Sequence, residues 1–257
     1  MFPESRQRKQ EKQMVFDSYV FTAAGGRTEN QDAAGQKEKD GRAIYVVADG
    51  LGGHMLGNLA SEKVVREMLS RWEENGIESR EAMWDAIKGA NEAVLQLQKE
   101  MRCSAKSTVA ALAITDDTAF WANTGDSRVY YVSGRQLAEI TEDHSVAYKK
   151  YKAGEITREQ IAQDEDQACL LRALGNETRW EPGISGTERM SEVTAFLLCS
   201  DGFWEYISDD EILTTCLMTE SAAEWGEKML QMVNARFRPG HDNYTMITVK
   251  TRSAASF

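Results

Sequence analysis

The sequence predicts an α+β fold in which pairs of helices are kept apart from antiparallel β-sheet. Three runs rich in β-branched and aromatic residues follow one another with short turns between them, at residues 108–115, 118–123 and 128–132. Segments with apolar residues at helical spacing form two pairs around these strands, at residues 57–74 with 80–101 and at residues 208–218 with 221–235. Adjacent strands interrupted by helix pairs are typical of antiparallel sheets, because parallel sheets need alternating strands and helices.

Composition indicates one globular domain. The chain has 257 residues, of which 42% are hydrophobic and 28% are charged, so it is long enough for a full core and has no break in composition that divides it. We expect residues 14–257 to form this domain and the polar residues 1–13 to form a flexible tail.

The charge and hydropathy of the chain exclude several classes of partner. A formal net charge of -11 argues against nucleic acid and anionic membranes. No apolar run approaches the roughly 18 residues of a membrane span, and the N-terminus lacks the apolar core of a signal peptide. We therefore expect a cytoplasmic protein that does not bind membranes, and we expect it to be a monomer.

The elements of the N-terminal half follow from simple patterns. Apolar and aromatic residues predict a first strand at residues 14–24, which Gly25 and Gly26 end. Residues 27–32 form a loop without any apolar residue, and the apolar run 43–48 predicts a buried strand. The first helix pair follows, and the helix-stop signal Asn75-Gly76 separates its two members.

The C-terminal half shows the same kinds of strand, turn and helix pattern. Turn residues precede the run 136–140, which is expected to pair back onto the strand before it. The polar stretch 148–167 is expected to be a mobile excursion from the core. Further strands are predicted at residues 181–188, 193–199 and 244–250, with the second helix pair before the last of them.

Three acids stand at the ends of predicted strands that are far apart in sequence. Asp49 follows the run 43–48 directly, Asp201 follows the run 197–200, and Asp242 comes just before the last strand. Asp49 opens the stretch Asp-Gly-Leu-Gly-Gly-His, whose glycines would let a backbone carbonyl such as that of Gly50 approach a cation. The stretch is not a phosphate-binding Walker loop, because no Gly-Lys-Ser/Thr follows it. If the fold brings these strand ends together, their carboxylates form a metal site.

Eight short motifs follow one another along the chain. They are Arg27-x-x-Asn30-Gln31-Asp32, Asp49-Gly50-Leu51-Gly52-Gly53-His54, Ser107-Thr108-Val109-Ala110, Gly125-Asp126-Ser127-Arg128, Asp143-His144-Ser145, Arg172-Ala173-Leu174-Gly175, Ser200-Asp201-Gly202 and Asp242-Asn243. In this order they resemble the metal-dependent Ser/Thr protein phosphatases of the PP2C type, in their bacterial form. The resemblance extends from about residue 16 to residue 250.

The resemblance implies a four-layer αββα fold, in which a central sandwich of two antiparallel sheets is flanked on each side by a pair of helices. It also implies two Mn or Mg ions at one end of the sandwich. Asp49 would bridge the two ions, the Gly50 carbonyl would help to bind one of them, and Asp201 and Asp242 would bind the other.

The same resemblance implies roles for five further residues. Asp32 would hold metal-bound water, and Asp126 matches the residue that binds a third, weaker metal in bacterial relatives. Arg27 would clamp the phosphate, since its planar guanidinium matches two phosphate oxygens. Asn243 and His54 would support the site without binding metal themselves. Two ions about 3.5 to 4 Å apart can activate a water, so no protein nucleophile is needed.

The expected function is hydrolysis of phosphoserine and phosphothreonine in proteins, opposing a bacterial Ser/Thr kinase, with a flap at about residues 145–170 beside the cleft. One alternative is a non-catalytic phosphoprotein-binding module on the same fold, and another is a hydrolase of small phosphoesters. The run Asp143-His144-Ser145 names the members of a hydrolase triad, but neighbours in sequence cannot be assumed to have triad geometry.

Overall fold

The computed structural model describes residues 14–52, 56–115, 118–187 and 194–253. The predicted tail at residues 1–13 and the candidate residue His54 lie outside this part of the chain. Two antiparallel sheets and the helices packed on them make up the described fold, which confirms the α+β prediction.

The first sheet has five strands, and every neighbouring pair in it is antiparallel. In spatial order these strands are β1 (Met14–Ala23), β11 (Tyr244–Ser253), β10 (Thr194–Cys199), β7 (Arg128–Ser133) and β8 (Gln136–Ile140). The hairpin of β7 and β8 confirms that residues 136–140 pair back onto the preceding strand.

The second sheet has six strands and is also antiparallel. Its order is β2 (Asp32–Lys39), β3 (Arg42–Leu51), β5 (Val109–Thr115), β6 (Thr118–Thr124) and β9 (Gly183–Thr187), with the two-residue β4 (Lys106–Ser107) paired to the end of β3.

Helices cover the outer face of each sheet, which produces the four layers. The first pair packs on the second sheet and the last pair packs on the first sheet. The helices are α1 (Gly57–Asn75), α2 (Arg80–Met101), α3 (Val146–Lys152), α4 (Asp201–Trp204), α5 (Asp209–Leu217) and α6 (Ala222–Asn234). No helix in the described part of the chain is both long enough and apolar enough to span a membrane.

Strand β3 explains why its sequence is apolar at every position. Ile44 and Val46 pack toward α1 and α2, whereas Tyr45 and Val47 pack between the two sheets. Side chains of a strand alternate between its faces, and both faces of β3 are buried, so both sets must be apolar. The strand is thereby fixed within two cores, and its last residues carry Asp49 to the sheet end.

Two parts of the fold differ from the predictions. Residues 32–39 form β2, although their polar sequence gave no strand signal. The stretch 148–167 is not wholly an excursion from the core, because Tyr148 and Ile161 are buried beneath the first sheet. Helix α3 and a short 3-10 turn at Ile161–Gln163 supply these two side chains.

Candidate functional site

Carboxylates from three distant parts of the chain meet at one end of the sandwich. One oxygen each of Asp49, Asp126 and Asp201 lies within 4.8 Å of the others. Asp49 is near the end of β3, Asp126 follows β6, and Asp201 is the first residue of α4. The predicted convergence of Asp49 and Asp201 is therefore found, and Asp126 lies with them, whereas Asp242, the third acid of that prediction, is not a member of this group.

The backbone of Asp49 is held by Ser107 at the end of β4 and by Thr108, which lies between β4 and β5. Its N–H donates to the hydroxyl of Thr108 at 2.9 Å, and its carbonyl accepts from the Thr108 N–H at 2.8 Å. The Ser107 hydroxyl donates to the same carbonyl at 3.0 Å. The Thr108 hydroxyl also pairs with that of Ser127 at 2.7 Å, next to Asp126. The Ser-Thr motif thus fixes the position of Asp49 relative to Asp126.

Asp32 lies beside Asp49 because the two residues are partners across the β2–β3 ladder. One oxygen of the buried Asp32 carboxyl accepts from the Ser200 hydroxyl at 2.7 Å. The other oxygen, Oδ1, is buried and has no hydrogen-bond partner among the described residues. A buried acceptor without a partner is costly, so this oxygen fits a ligand or an ordered water in the site.

Arg27 and Asp242 form a bidentate ion pair with each other. The Arg27 Nε and Nη2 atoms donate to the two Asp242 oxygens at 3.1 and 2.8 Å. Both side chains are about half exposed, at 54% and 45%. Arg27, the predicted phosphate ligand, therefore contacts Asp242, a predicted metal ligand. Nothing in the sequence predicted this ion pair.

Asn243 anchors the loop that carries Arg27. Its side chain donates to the carbonyls of Ala24 and Glu29, each at 2.8 Å, and accepts the Gln31 N–H at 2.8 Å. Gly50 lies on the other side of Gln31 and donates its N–H to the Gln31 carbonyl at 3.0 Å. A side chain at Gly50 would collide with the backbone of α1, so only glycine fits there.

Crowding of the acids disfavours their charged forms. Burial raises the pKa of Asp32 to about 7, although the hydrogen bond from Ser200 opposes this shift. Burial and then the Asp242 charge raise the pKa of Asp201 to about 6. Burial, followed by Asp32 and Asp201, raises the pKa of Asp49 well above its ordinary value. Burial and the charge of Asp201 do the same to the pKa of Asp126.

Glu205 is a site carboxylate that the sequence analysis missed. Burial and then the charges of Asp201 and Asp242 raise the pKa of Glu205 to about 8. Glu205 follows α4 and lies four residues after Asp201, a spacing that brings two side chains to one face of a helical turn. That spacing was the signal available in the sequence.

The run Asp143-His144-Ser145 is not a hydrolase triad. Asp143 accepts a bidentate pair from Arg128 at 2.8 and 2.6 Å. His144 accepts the Gly125 N–H at its Nδ1 atom, and the Ser145 hydroxyl caps α3 by accepting the Tyr148 N–H. Each triad candidate has its own separate partner, so the triad hypothesis is wrong.

The residues present fit hard divalent cations. The converging groups are carboxylates, which are the ligands that Mg²⁺ and Mn²⁺ prefer, and Asp32, the strand partner of Asp49, adds an unpaired oxygen beside them. Bound cations would offset the burial and the mutual repulsion that together raise the pKa of these acids. The site geometry therefore defines a metal-dependent class of protein.

Comparison with known proteins identifies that class. A family model described as Protein phosphatase 2C matches residues 24–241. The serine/threonine phosphatase stp of Listeria monocytogenes is 32% identical over 232 residues, which cover 87% of this chain and 91% of the relative. The structure of the serine/threonine phosphatase Stp1 from Staphylococcus aureus has a TM-score of 0.82 at 26% identity and covers 94% of this chain and 97% of that one. The chain therefore belongs to the protein phosphatase 2C family.

A third comparison supports the fold. The catalytic domain of the serine/threonine protein phosphatase PstP, solved in complex with 2 manganese ions, has a TM-score of 0.79 at 24% identity and covers 93% of this chain and 99% of that one. The family match, the relative from Listeria monocytogenes and the carboxylate cluster identify the chain as a Ser/Thr protein phosphatase that depends on divalent metal and acts on phosphoproteins. The expectation of a phosphatase is confirmed, and the non-catalytic module is not supported.

Proposed function

We propose that this phosphatase hydrolyses phosphoserine and phosphothreonine in proteins with two Mn²⁺ or Mg²⁺ ions, and that a third, weaker ion also binds. The observation that carries the proposal is the approach of three carboxylates to within 4.8 Å, beside the unpaired buried oxygen of Asp32. PstP, which has a similar fold, was solved with 2 manganese ions, which supports the number two.

In this proposal each acid has a separate task. Asp49 would contribute to both ions, together with the Gly50 carbonyl at one of them. Asp201 and Asp242 would hold the second ion, and Asp126 would hold the third. These assignments rest on the clustered oxygens of Asp49, Asp126 and Asp201 and on the mutual charge effects that include Asp242.

The two ions, when bound, would activate a water and neutralise charge on the phosphoryl group. The chain's own residues orient the reaction. Arg27 is about half exposed and pairs with Asp242, and its planar guanidinium can take two phosphate oxygens in place of the two Asp242 oxygens. The buried Asp32 Oδ1 has no hydrogen-bond partner among the described residues, so it can orient a water by accepting a hydrogen bond from it. Asn243 ties the loop that carries Arg27 to the segment just before β11, which contains Asp242.

The wider context of the enzyme is also proposed. We infer a cognate bacterial Ser/Thr kinase whose phosphorylation the enzyme reverses, a monomeric state and a cytoplasmic location. The acidic net charge of -11 supports a preference for protein over nucleic-acid partners. Residues 14–257 are proposed to act as one domain, with a flap at about residues 145–170. Gln167 in this flap donates to Asp201 at 3.5 Å, which brings the flap to the edge of the site.

The test compares wild type with Asp201→Asn and with the matched control Asp85→Asn, which changes an exposed Asp on α2. Each protein is assayed on a phosphothreonine peptide and on p-nitrophenyl phosphate, with and without added manganese. We expect manganese-dependent turnover in wild type and Asp85→Asn, and a loss of about 100-fold or more in Asp201→Asn because a metal ligand is removed.

Calorimetric titration of Mn²⁺ into the same proteins separates binding from chemistry. Turnover that survives in Asp201→Asn with unchanged Mn²⁺ binding would refute the assignment of the site. A preference for p-nitrophenyl phosphate with no turnover of the peptide would instead favour a small-phosphoester hydrolase.

A further inference from the structure

The loop that carries Asp126 is held on both sides by buried groups from other segments. On one side, the indole Nε1 of Trp204 donates to the Asp126 carbonyl at 2.9 Å. The Trp204 ring in turn lies under the Arg128 guanidinium, whose carbon is 3.5 Å from the ring centroid. Arg128 is fixed by its buried pair with Asp143. This side of the loop is therefore rigid.

On the other side of the loop, His144 makes two hydrogen bonds to Gly125, the residue before Asp126. The His144 N–H donates to the Gly125 carbonyl at 2.9 Å, and the His144 Nδ1 accepts the Gly125 N–H at 3.2 Å. Gly125 has a φ of 97°, and a side chain there would press on Thr108 at 2.7 Å. The loop therefore has a conformation that only glycine adopts readily, and His144 satisfies both of its backbone polar groups.

The acceptor role of Nδ1 defines the state of the His144 ring. A nitrogen that accepts a hydrogen bond carries no proton, so the remaining ring proton is at Nε2 and the ring is neutral. Burial and the neighbouring Arg172 charge lower the pKa of His144 to about 4, which agrees with a neutral ring.

His144 also belongs to the base of the flap. Its carbonyl accepts the Leu171 N–H at 2.7 Å, and the next residue, Ser145, caps α3 at the start of the flap. The same residue therefore touches the flap base through its backbone and the Asp126 loop through its ring. No other described residue hydrogen-bonds to both the N–H and the carbonyl of Gly125.

We propose that His144 is a positioning residue, which places the Asp126 carboxylate for metal through the Nδ1 acceptor and ties that placement to the base of the flap. This inference rests on the proposed function, because it takes Asp126 as a metal ligand. It assigns His144 no contact with substrate.

Three substitutions of His144 test the acceptor separately from the volume of the ring. His144→Asn carries its amide oxygen near the position of Nδ1, whereas His144→Gln carries it one bond further out, and His144→Leu has no acceptor. Ser145→Ala is the matched control, because it loosens α3 without touching Gly125. Each protein is titrated with Mn²⁺ by calorimetry, and the manganese dependence of phosphopeptide turnover is measured in parallel.

We expect His144→Gln and His144→Leu to bind their weakest Mn²⁺ about five- to tenfold less tightly than wild type, the effect of one lost hydrogen bond at a buried N–H. His144→Asn should remain within about twofold of wild type, as should Ser145→Ala. The manganese concentration for half-maximal turnover should rise by the same factor in the Gln and Leu variants, with little change in KM for the peptide.

If Mn²⁺ binding were weakened equally in all three His144 variants, the proposal would be overturned, because the ring would then act through packing alone. Unchanged Mn²⁺ affinity in all three would overturn it as well. If His144→Leu fails to fold, the Asn and Gln variants alone decide. A failure of the proposed function has a different signature, since wild type and Asp201→Asn would then bind Mn²⁺ alike.

Discussion

The protonation of Asp32 predicts an unusual pH dependence for the metal-free enzyme. The carboxyl has a pKa of about 7 in the folded protein, against an ordinary value of 3.8, because it is buried. A folded-state pKa above the unfolded value adds stability that is complete below the unfolded pKa and is lost as the pH rises through the folded value. The chelated protein should therefore lose stability progressively from about pH 4 to about pH 8.

The size of this pH-dependent change in the free energy of unfolding follows from proton uptake by Asp32. Between about pH 8 and about pH 6, a carboxyl with a pKa of about 7 takes up most of a proton, while the unfolded carboxyl takes up almost none. Integrated over that interval, the free energy of unfolding contributed by Asp32 is about 1.4 kcal/mol higher at the lower pH. Asp32→Asn keeps the shape of the side chain but removes this titration.

The assay is urea unfolding of EDTA-treated wild type and Asp32→Asn at both pH values. The pH difference in unfolding free energy should be about 1.4 kcal/mol smaller in the variant, and the comparison cancels the titration of groups that do not interact with Asp32. The control Asp85→Asn should show the same difference in unfolding free energy between the two pH values as wild type does. Saturating manganese should abolish the Asp32 effect, because the metal binds ionised carboxylates. A pH difference that is the same in wild type and Asp32→Asn would refute this argument.

Three other predictions use contacts around the site. Asp143→Asn should lower the free energy of unfolding by about 3 to 5 kcal/mol in urea, because it leaves the buried Arg128 charge unpaired, and a loss below about 1 kcal/mol would contradict this. Arg27→Gln should raise KM for a phosphopeptide, because the guanidinium proposed to contact phosphate is lost. It should also tighten Mn²⁺ binding, measured by calorimetry, about threefold, because Asp242 is freed from its ion pair. An unchanged Mn²⁺ affinity would contradict the idea that Arg27 and Mn²⁺ compete for Asp242. Ser208→Ala should cost about 1 kcal/mol of thermal stability by removing the capping box of α5, with turnover per folded molecule unchanged.

The sequence predicted the elements that are buried on both faces and the acids that end them. Strand β3 is apolar at each position because each face packs in a separate core, so its signal is strong. Strand β2 gave no signal because it is a polar strand at the sheet edge, where pairing with β3 and not residue preference decides its structure. The burial of Tyr148 and Ile161 was not predicted, because isolated apolar residues in a polar stretch show no hydrophobic periodicity.

The site was predicted in the same uneven way. Motifs contain Asp49, Asp126 and Asp201, whose carboxylates converge, but Asp242, which was expected to lie with them, is not in that group and pairs with Arg27. This pairing depends on two loops 215 residues apart, and no local pattern encodes it. Glu205 was missed because a single acid four residues after Asp201 is common on helices. His54 and the tail at residues 1–13 stay predictions, because they lie outside the described residues.

The hydroxyl contacts around the acids explain how the fold tolerates a cluster that repels itself. Thr108, Ser127 and Ser200 hydrogen-bond the backbone or carboxyl groups of the site or one another. Hydroxyl groups donate or accept without adding charge, so they fix the acids while leaving the net negative field available to cations. A basic residue at any of these positions would stabilise the metal-free protein but compete with metal, as we predict for Arg27 at Asp242. The energetic cost of the acids is therefore retained in the metal-free protein, and cation binding relieves it.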